Sequence, residues 1–249
     1  MEHKKRPNLS GLAAAGFWLL VWQIAAMAAN RNLLLPLPTV PKTVTALFRL
    51  LGRAAVWHAI GLTLLRVLAG FVCAILIGSV GAVLSWKNRL FQFLSDPMLH
   101  MIRTVPVAAV IILVFLWVPR QHIPAFISFL TVMPVIWSNV REGLRNIDPQ
   151  LGEMARVFGM SGREQFRRVT LPQLEPFYLA AIRTGIGFAW KSGIAAEIIC
   201  RTPLSIGNLL WQSKAAIAYD EVLAVTLLIM TLSTCFQQLT KPWTREGKR

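Results

Sequence analysis

Apolar runs long enough to cross a lipid bilayer recur along the whole chain, and they leave it few folds to choose from. They cover about residues 12–29, 59–84, 91–118, 123–140, 177–199 and 222–239. A helix needs roughly 20 mostly apolar residues to span the hydrocarbon layer, and each run meets that requirement. Open strands are excluded there, because their backbone edges would go unpaired in lipid. The expected fold is therefore all-α, a polytopic membrane protein with about six transmembrane helices. The expected transmembrane domain occupies 12–240, between short tails at 1–11 and 241–249. The first run is too long, and too poorly followed by a cleavage site, for a removed signal peptide. Residues 39–53 read as a short amphipathic helix, with Val40, Val44, Leu47, Leu50 and Leu51 facing one way.

Composition and charge agree. The chain is 55% hydrophobic and 15% charged, unlike an ordinary soluble domain. A net charge of +15 would point to nucleic acid in a soluble protein. Here the basic residues are scattered between apolar runs rather than striped on one face, which argues against a nucleic-acid partner. They concentrate in the tails, at Lys87 and Arg89, and from Arg141 to Arg168. The opposing set is smaller: Arg31, Lys42, Arg49, Arg53, Arg120, Arg201 and Lys214. The positive-inside rule then puts both termini on the cytoplasmic side. Cys73, Cys200 and Cys235 lie in or beside apolar stretches without metal-ligand spacing and read as buried, inert thiols. No metal site is expected from the histidines either.

A polar interruption between the fourth and fifth runs, residues 148–172, stands out. Asp148 is a good N-cap and Pro149 suits the first helical position. A short helix can run from Pro149 to Phe158, with Gly159 where a left-handed C-cap is wanted. Ser161 and Glu164 have capping-box spacing for a second helix, which Leu171-Pro172 is expected to stop. Leu151, Met154, Ala155 and Phe158 form an apolar stripe at helical spacing. Small residues at Ala155 and Gly159 would let another protein's backbone come close.

This loop resembles the signature of the permease subunits of bacterial ABC importers, Glu-Ala-Ala-x3-Gly-x9-Ile-x-Leu-Pro. Glu153, Ala155, Gly159, Val169, Leu171 and Pro172 fall on it, with Met154 replacing the second-position Ala and Val169 the Ile. Other stretches are similar to the nitrate/sulfonate/taurine branch. These are Leu35-Pro36-Leu37-Pro38 before Val40-Pro41, the run from Thr63 to Phe71, and Arg103-Thr104-Val105-Pro106, with Thr104 in place of a Pro. The resemblance implies a type I importer permease fold working in pairs, here as a homodimer. It implies that residues 148–172, through Glu153, Met154, Ala155, Phe158, Gly159, Leu171 and Pro172, dock on a cytoplasmic ATPase. It further implies an extracytoplasmic solute-binding protein as partner. ATP and Mg would be used by that ATPase, and this chain would bind no cofactor.

Cations inside the runs are costly in lipid and often functional. Arg66 and Arg183 lie near run ends, within reach of snorkelling. Arg103 and Lys191 sit deeper, and Pro106 loosens the helix beyond Arg103. Arg103, Pro106, Lys191 and, less directly, Trp190 are the candidate residues of a translocation path that would favour an anion. The competing reading makes the cations halves of buried pairs with Glu142 or Glu197. Several tryptophans near run ends read as interfacial anchors. Gly70, Ala74, Gly78 and Ala82, and likewise Ala181, Gly185, Ala189 and Gly193, form small-residue stripes suited either to packing within the chain or to a subunit contact.

No phosphate-binding Gly-x4-Gly-Lys-Ser/Thr loop and no nucleophile elbow are present, so no catalytic residues are assigned. The rival is a carrier driven by an ion gradient. It would predict an internal repeat, and no convincing one is found.

Overall fold

The computed structural model describes residues 9–31 and 37–239, and within them every regular element is helical. Tail residues 1–8 and 241–249, and Leu35-Pro36 of the proline-rich stretch, lie outside the described residues. In order, the elements are α1 (Leu9–Arg31), α2 (Val40–Leu51), α3 (Ala54–Lys87), α4 (Arg89–Thr104), α5 (Val107–Val114) and α6 (Ile123–Arg145). Then come α7 (Pro149–Val157), α8 (Gly162–Gln165), a π-helical turn (Phe166–Thr170), α9 (Leu171–Cys200), α10 (Ile206–Ala215) and α11 (Tyr219–Leu239).

Helices α1, α3, α6 and α11 are long and apolar enough to cross a membrane, and α4 with α5 makes a further span if that bent pair is counted as one. Helix α9, expected as another, has 30 residues and ample length, but Glu175, Arg183, Lys191 and Glu197 interrupt its apolar character. The run at 91–118 is not one straight helix. Helices α4 and α5 meet at 101°. Pro106 offers no N–H and drives Val105 into an extended conformation (φ −71°, ψ 131°), which ends α4.

The core is built around α6, which packs most extensively on α3 and α9. Close approach depends on missing side chains. A Cβ on Gly70 would lie 2.1 Å from the Ala125 carbonyl oxygen, and one on Gly81 would lie 2.2 Å from the Trp137 ring. One on Gly193 would meet Ser128 Oγ at 2.7 Å. Both small-residue stripes are therefore buried inside the chain, α3 against α6 and α9 against α6, and neither is left over for a subunit contact. Short polar links reinforce the seams. Ser128 Oγ donates to the Ala189 carbonyl (3.0 Å), and the Thr131 and Ser192 hydroxyls lie 2.9 Å apart. Trp137 is buried, stacks on Phe91 and donates to Ser85 Oγ (3.0 Å), so it is a core residue. The cysteines also depart from expectation: all are free, but only Cys200 is buried, while Cys73 and Cys235 are exposed. On α2 the inward face is Thr43, Ala46 and Leu50, with Val44 turned outward.

At the α9–α10 end, a fully buried glutamate organises the chain. Glu197 Oε2 accepts from Thr63 Oγ1 (3.0 Å) and the Gly207 N–H (3.2 Å), and Oε1 lies 3.7 Å from Arg66 Nη1. The same guanidinium donates to the Pro203 and Leu204 carbonyls, and Thr63 Oγ1 accepts from the Ile206 N–H. Gly207 must lack a side chain, since its Cβ would sit 2.4 Å from that of Glu197. Thus Glu197 pairs with Arg66 and with neither Arg103 nor Lys191. Arg66 is drawn inward and does not snorkel.

Two outcomes follow for stability, both measurable by thermal unfolding in detergent. Gly70→Ala should force α3 off α6 and cost about 1–3 kcal/mol or more, whereas Gly187→Ala, where a Cβ meets nothing within 4 Å, should be neutral or slightly stabilising. Glu197→Ala should leave the buried Thr63 hydroxyl and Gly207 N–H without an acceptor, at about 1–3 kcal/mol each, and Glu197→Gln, which keeps an acceptor for both, should cost clearly less. Equal effects within either comparison would contradict the packing described.

Candidate functional site

The loop between α6 and α9 folds as the capping residues dictate. Asp148 accepts from the Gln150 N–H (2.8 Å) and opens α7, while its own N–H donates to Gln173 Oε1 (2.9 Å) at the start of α9. The other end of α7 closes in a Schellman arrangement. The Gly159 N–H donates to the Arg156 carbonyl (3.0 Å) and the Met160 N–H to the Ala155 carbonyl (3.0 Å), with Gly159 left-handed at φ +66°. Ser161 and Glu164 form the full capping box of α8. The Ser161 N–H and hydroxyl hold the Glu164 carboxyl below its ordinary value, so it is ionised at neutral pH and the box weakens only in acid.

The expected stop at Leu171-Pro172 is not there. Helix α8 passes through the π-helical turn directly into α9, and the Leu171 N–H reaches back five residues to the Phe166 carbonyl. A proline has no N–H, and its ring crowds the carbonyl four residues earlier. The wider turn lets the helical path run on into Pro172.

Exposure divides the apolar stripe. Ala155 is fully buried as α7 lies on the π-helical turn, so its small size serves packing within the loop and leaves no open approach for a foreign backbone. Leu151, Met154, Phe158 and Leu171 are exposed, as are Glu153, Gly159 and Pro172. Two further residues join the surface that sequence reading passed over. Val157 is 85% exposed, more than Phe158 at 73%, and Phe166 is also exposed. Their signal was present, since apolar residues at 154, 157 and 158 share one face at helical spacing, but the loop's inner face was not known. Arg156, Arg163, Arg167 and Arg168 are exposed in the same loop. A knob of this kind, apolar with cationic neighbours and locked by caps at both ends, has the chemistry of a protein contact.

The candidate path residues lie on α4, on α9 and at the bend before α5. Arg103 Nη2 donates to the Pro134 carbonyl of α6 (2.7 Å), and Pro106 caps α5 beyond the bend. Trp190 is buried and tilts against Phe236 of α11, with ring centroids 5.9 Å apart. Lys191, the next residue, is exposed on the outer face of α9. Among the described residues no group of histidine, cysteine or acidic side chains could hold a metal.

With this geometry in hand, known proteins place the chain. Residues 67–241 match the family described as binding-protein-dependent transport system inner membrane component. The chain is 31% identical to the bicarbonate transport system permease protein CmpB of Synechococcus elongatus, over 89% of this chain and 84% of that protein. It is 30% identical to the putative aliphatic sulfonates transport permease protein SsuC of Escherichia coli, over 90% and 87%. Its fold is similar to that of a bacterial ABC transporter involved in import of the acidic polysaccharide alginate (TM-score 0.61, 17% identity, covering 96% and 95%). It is also similar to that of the methionine transporter MetNI in an inward-facing state (TM-score 0.59, 19% identity, covering 78% and 95%). The chain therefore belongs to the inner-membrane components of binding-protein-dependent transport systems, as a multi-pass ABC-importer permease subunit of the nitrate and sulfonate branch.

Proposed function

We propose that this permease is driven by a cytoplasmic ATPase that grips the knob at 148–172, and that an extracytoplasmic binding protein hands it a small anion. The observation that carries the reading is the exposed apolar surface of Met154, Val157, Phe158 and Phe166. In water such a surface is a liability unless a partner covers it. The exposed arginines around it call for a groove with an acidic rim. Both termini and the knob then lie on the cytoplasmic side, where ATP and Mg are available to the partner.

The solute class rests on chemistry and on relatives together. Bicarbonate, nitrate and aliphatic sulfonates, the solutes named for the relatives, are all anions at neutral pH. Lys191 is an exposed cation between the buried Trp190 and Ser192 of α9, and a charge facing lipid there would be costly. A water-filled path formed with a second permease copy would relieve that cost. Movement is alternating access. ATP binding closes the ATPase pair and draws the knobs together, the bundle opens outward for solute, and hydrolysis returns it inward.

The knob can be tested without knowing the solute. Val157→Asp with Phe158→Asp should weaken ATPase binding at least thirtyfold, the loss of about 2 kcal/mol expected for central apolar contacts, while the permease still reaches the membrane. Co-purification of the ATPase at wild-type yield would overturn the assignment. Gly159→Val, which must hold a branched side chain at φ +66°, should cost about 1–2 kcal/mol and reduce ATP-driven uptake without blocking insertion. Undiminished uptake in proteoliposomes would show that the capped geometry is not needed.

A further inference from the structure

We propose that the ion pair Asp96–Arg141 is the joint through which the knob drives the broken helix α4–α5. This rests on the reading that the knob receives force. Arg141 lies on α6, one turn before that helix ends at Arg145, and the chain then enters the knob at Asp148. Its Nη1 donates to Asp96 Oδ1 on α4. Gln92, one turn earlier on α4, donates to the other carboxylate oxygen (3.4 Å) and so orients it.

What makes the pair a joint is its place on a lightly buried helix. Helix α4 fully buries only Ser95 and Leu99. Leu90, Phe93, Leu94, Met98 and Met101 are all exposed. Beyond the stack of Phe91 on Trp137, its hold on α6 is polar: Asp96–Arg141 near the knob, and Arg103 on the Pro134 carbonyl (2.7 Å) near the far end. Helices α3 and α9, by contrast, are locked to α6 through interdigitated glycines. A displacement of the knob thus moves α3, α6 and α9 as a block. It reaches the start of α4 through Asn88 and the Phe91–Trp137 stack, and the rest of α4 through two polar clasps, of which the Arg141 clasp is adjacent to the source. Beyond Arg103 the bend of 101° at Val105-Pro106 lets α4 swing without carrying α5 rigidly along. An ion pair suits this work. It is directional, and being partly exposed it can loosen and re-form without the all-or-none repacking of an apolar seam.

The test uses the assembled importer with its ATPase, with ATP and vanadate as the probe and the three native cysteines replaced. Spin labels at Met98, an exposed residue of α4 beyond Asp96, and at Arg163 in the knob are each paired with a reference label at Leu76, an exposed residue of α3. In the parent chain, trapping should change both distances. In Asp96→Asn and in Arg141→Gln the knob distance should still change while the α4 distance stays within its untrapped distribution. The exchanged pair, Asp96→Arg with Arg141→Asp, should restore the α4 response, which a merely structural role for either residue would not produce. If α4 follows the knob in the single variants, or the exchanged pair fails to restore the response in an assembled complex, the joint is refuted. If the knob itself stays still in the parent chain, the coupling reading fails, and the joint with it.

Discussion

Backbone proximity among α3, α6 and α9 is the constraint on which the rest depends. In lipid, apolar surface gains little by leaving its surroundings, so helices associate through dispersion and short hydrogen bonds, both of which need close approach. Gly70, Gly81 and Gly193 permit that approach because there is no side chain to intervene. Hydroxyls of Ser128, Thr131 and Ser192 then reach across the seam. The block so formed is stiff, and it places the two ends of the knob, leaving α6 and entering α9, at fixed positions.

Polar groups inside this block serve two distinct purposes. Glu197 is fully buried and is surrounded by Thr63, Gly207 and Arg66, which ties α3 to α9 and to the turn before α10. Asp96 and Arg141 are both partly exposed, with side chains 34% and 17% accessible, and they join an otherwise lightly held helix to the block. Buried pairs of the first kind specify structure, since removing one partner leaves an uncompensated charge. A partly exposed pair of the second kind can loosen and re-form as the helices shift.

Much of the knob could be read from residue types. Asp148, Pro149, Gly159, Ser161 and Glu164 each satisfy a backbone requirement that is local to a few neighbours, and each occupies the expected cap position. The apolar runs were legible for the same reason, because hydropathy over one helix length needs no knowledge of partners. Reading failed where a residue's role depended on what lies across from it. Ala155 looked like an open contact and is buried where α7 meets the π-helical turn, and Leu171-Pro172 looked like a stop and instead begins α9, which that turn joins directly to α8. The partner of Glu197 was likewise hidden, since Arg66 lies far away in the chain and meets it only after α3 and α9 have packed.

The order of residues alone thus determined that the chain is helical, that it crosses a membrane several times, and that a capped two-helix knob interrupts it before α9. These follow from the cost of unpaired backbone in lipid and from hydrogen bonds between near neighbours. Tertiary structure alone decided which face of the knob is open, which small residues are consumed inside the chain, and which charges pair. Those outcomes depend on distances between residues remote in sequence, which are set only when α3, α6 and α9 come together.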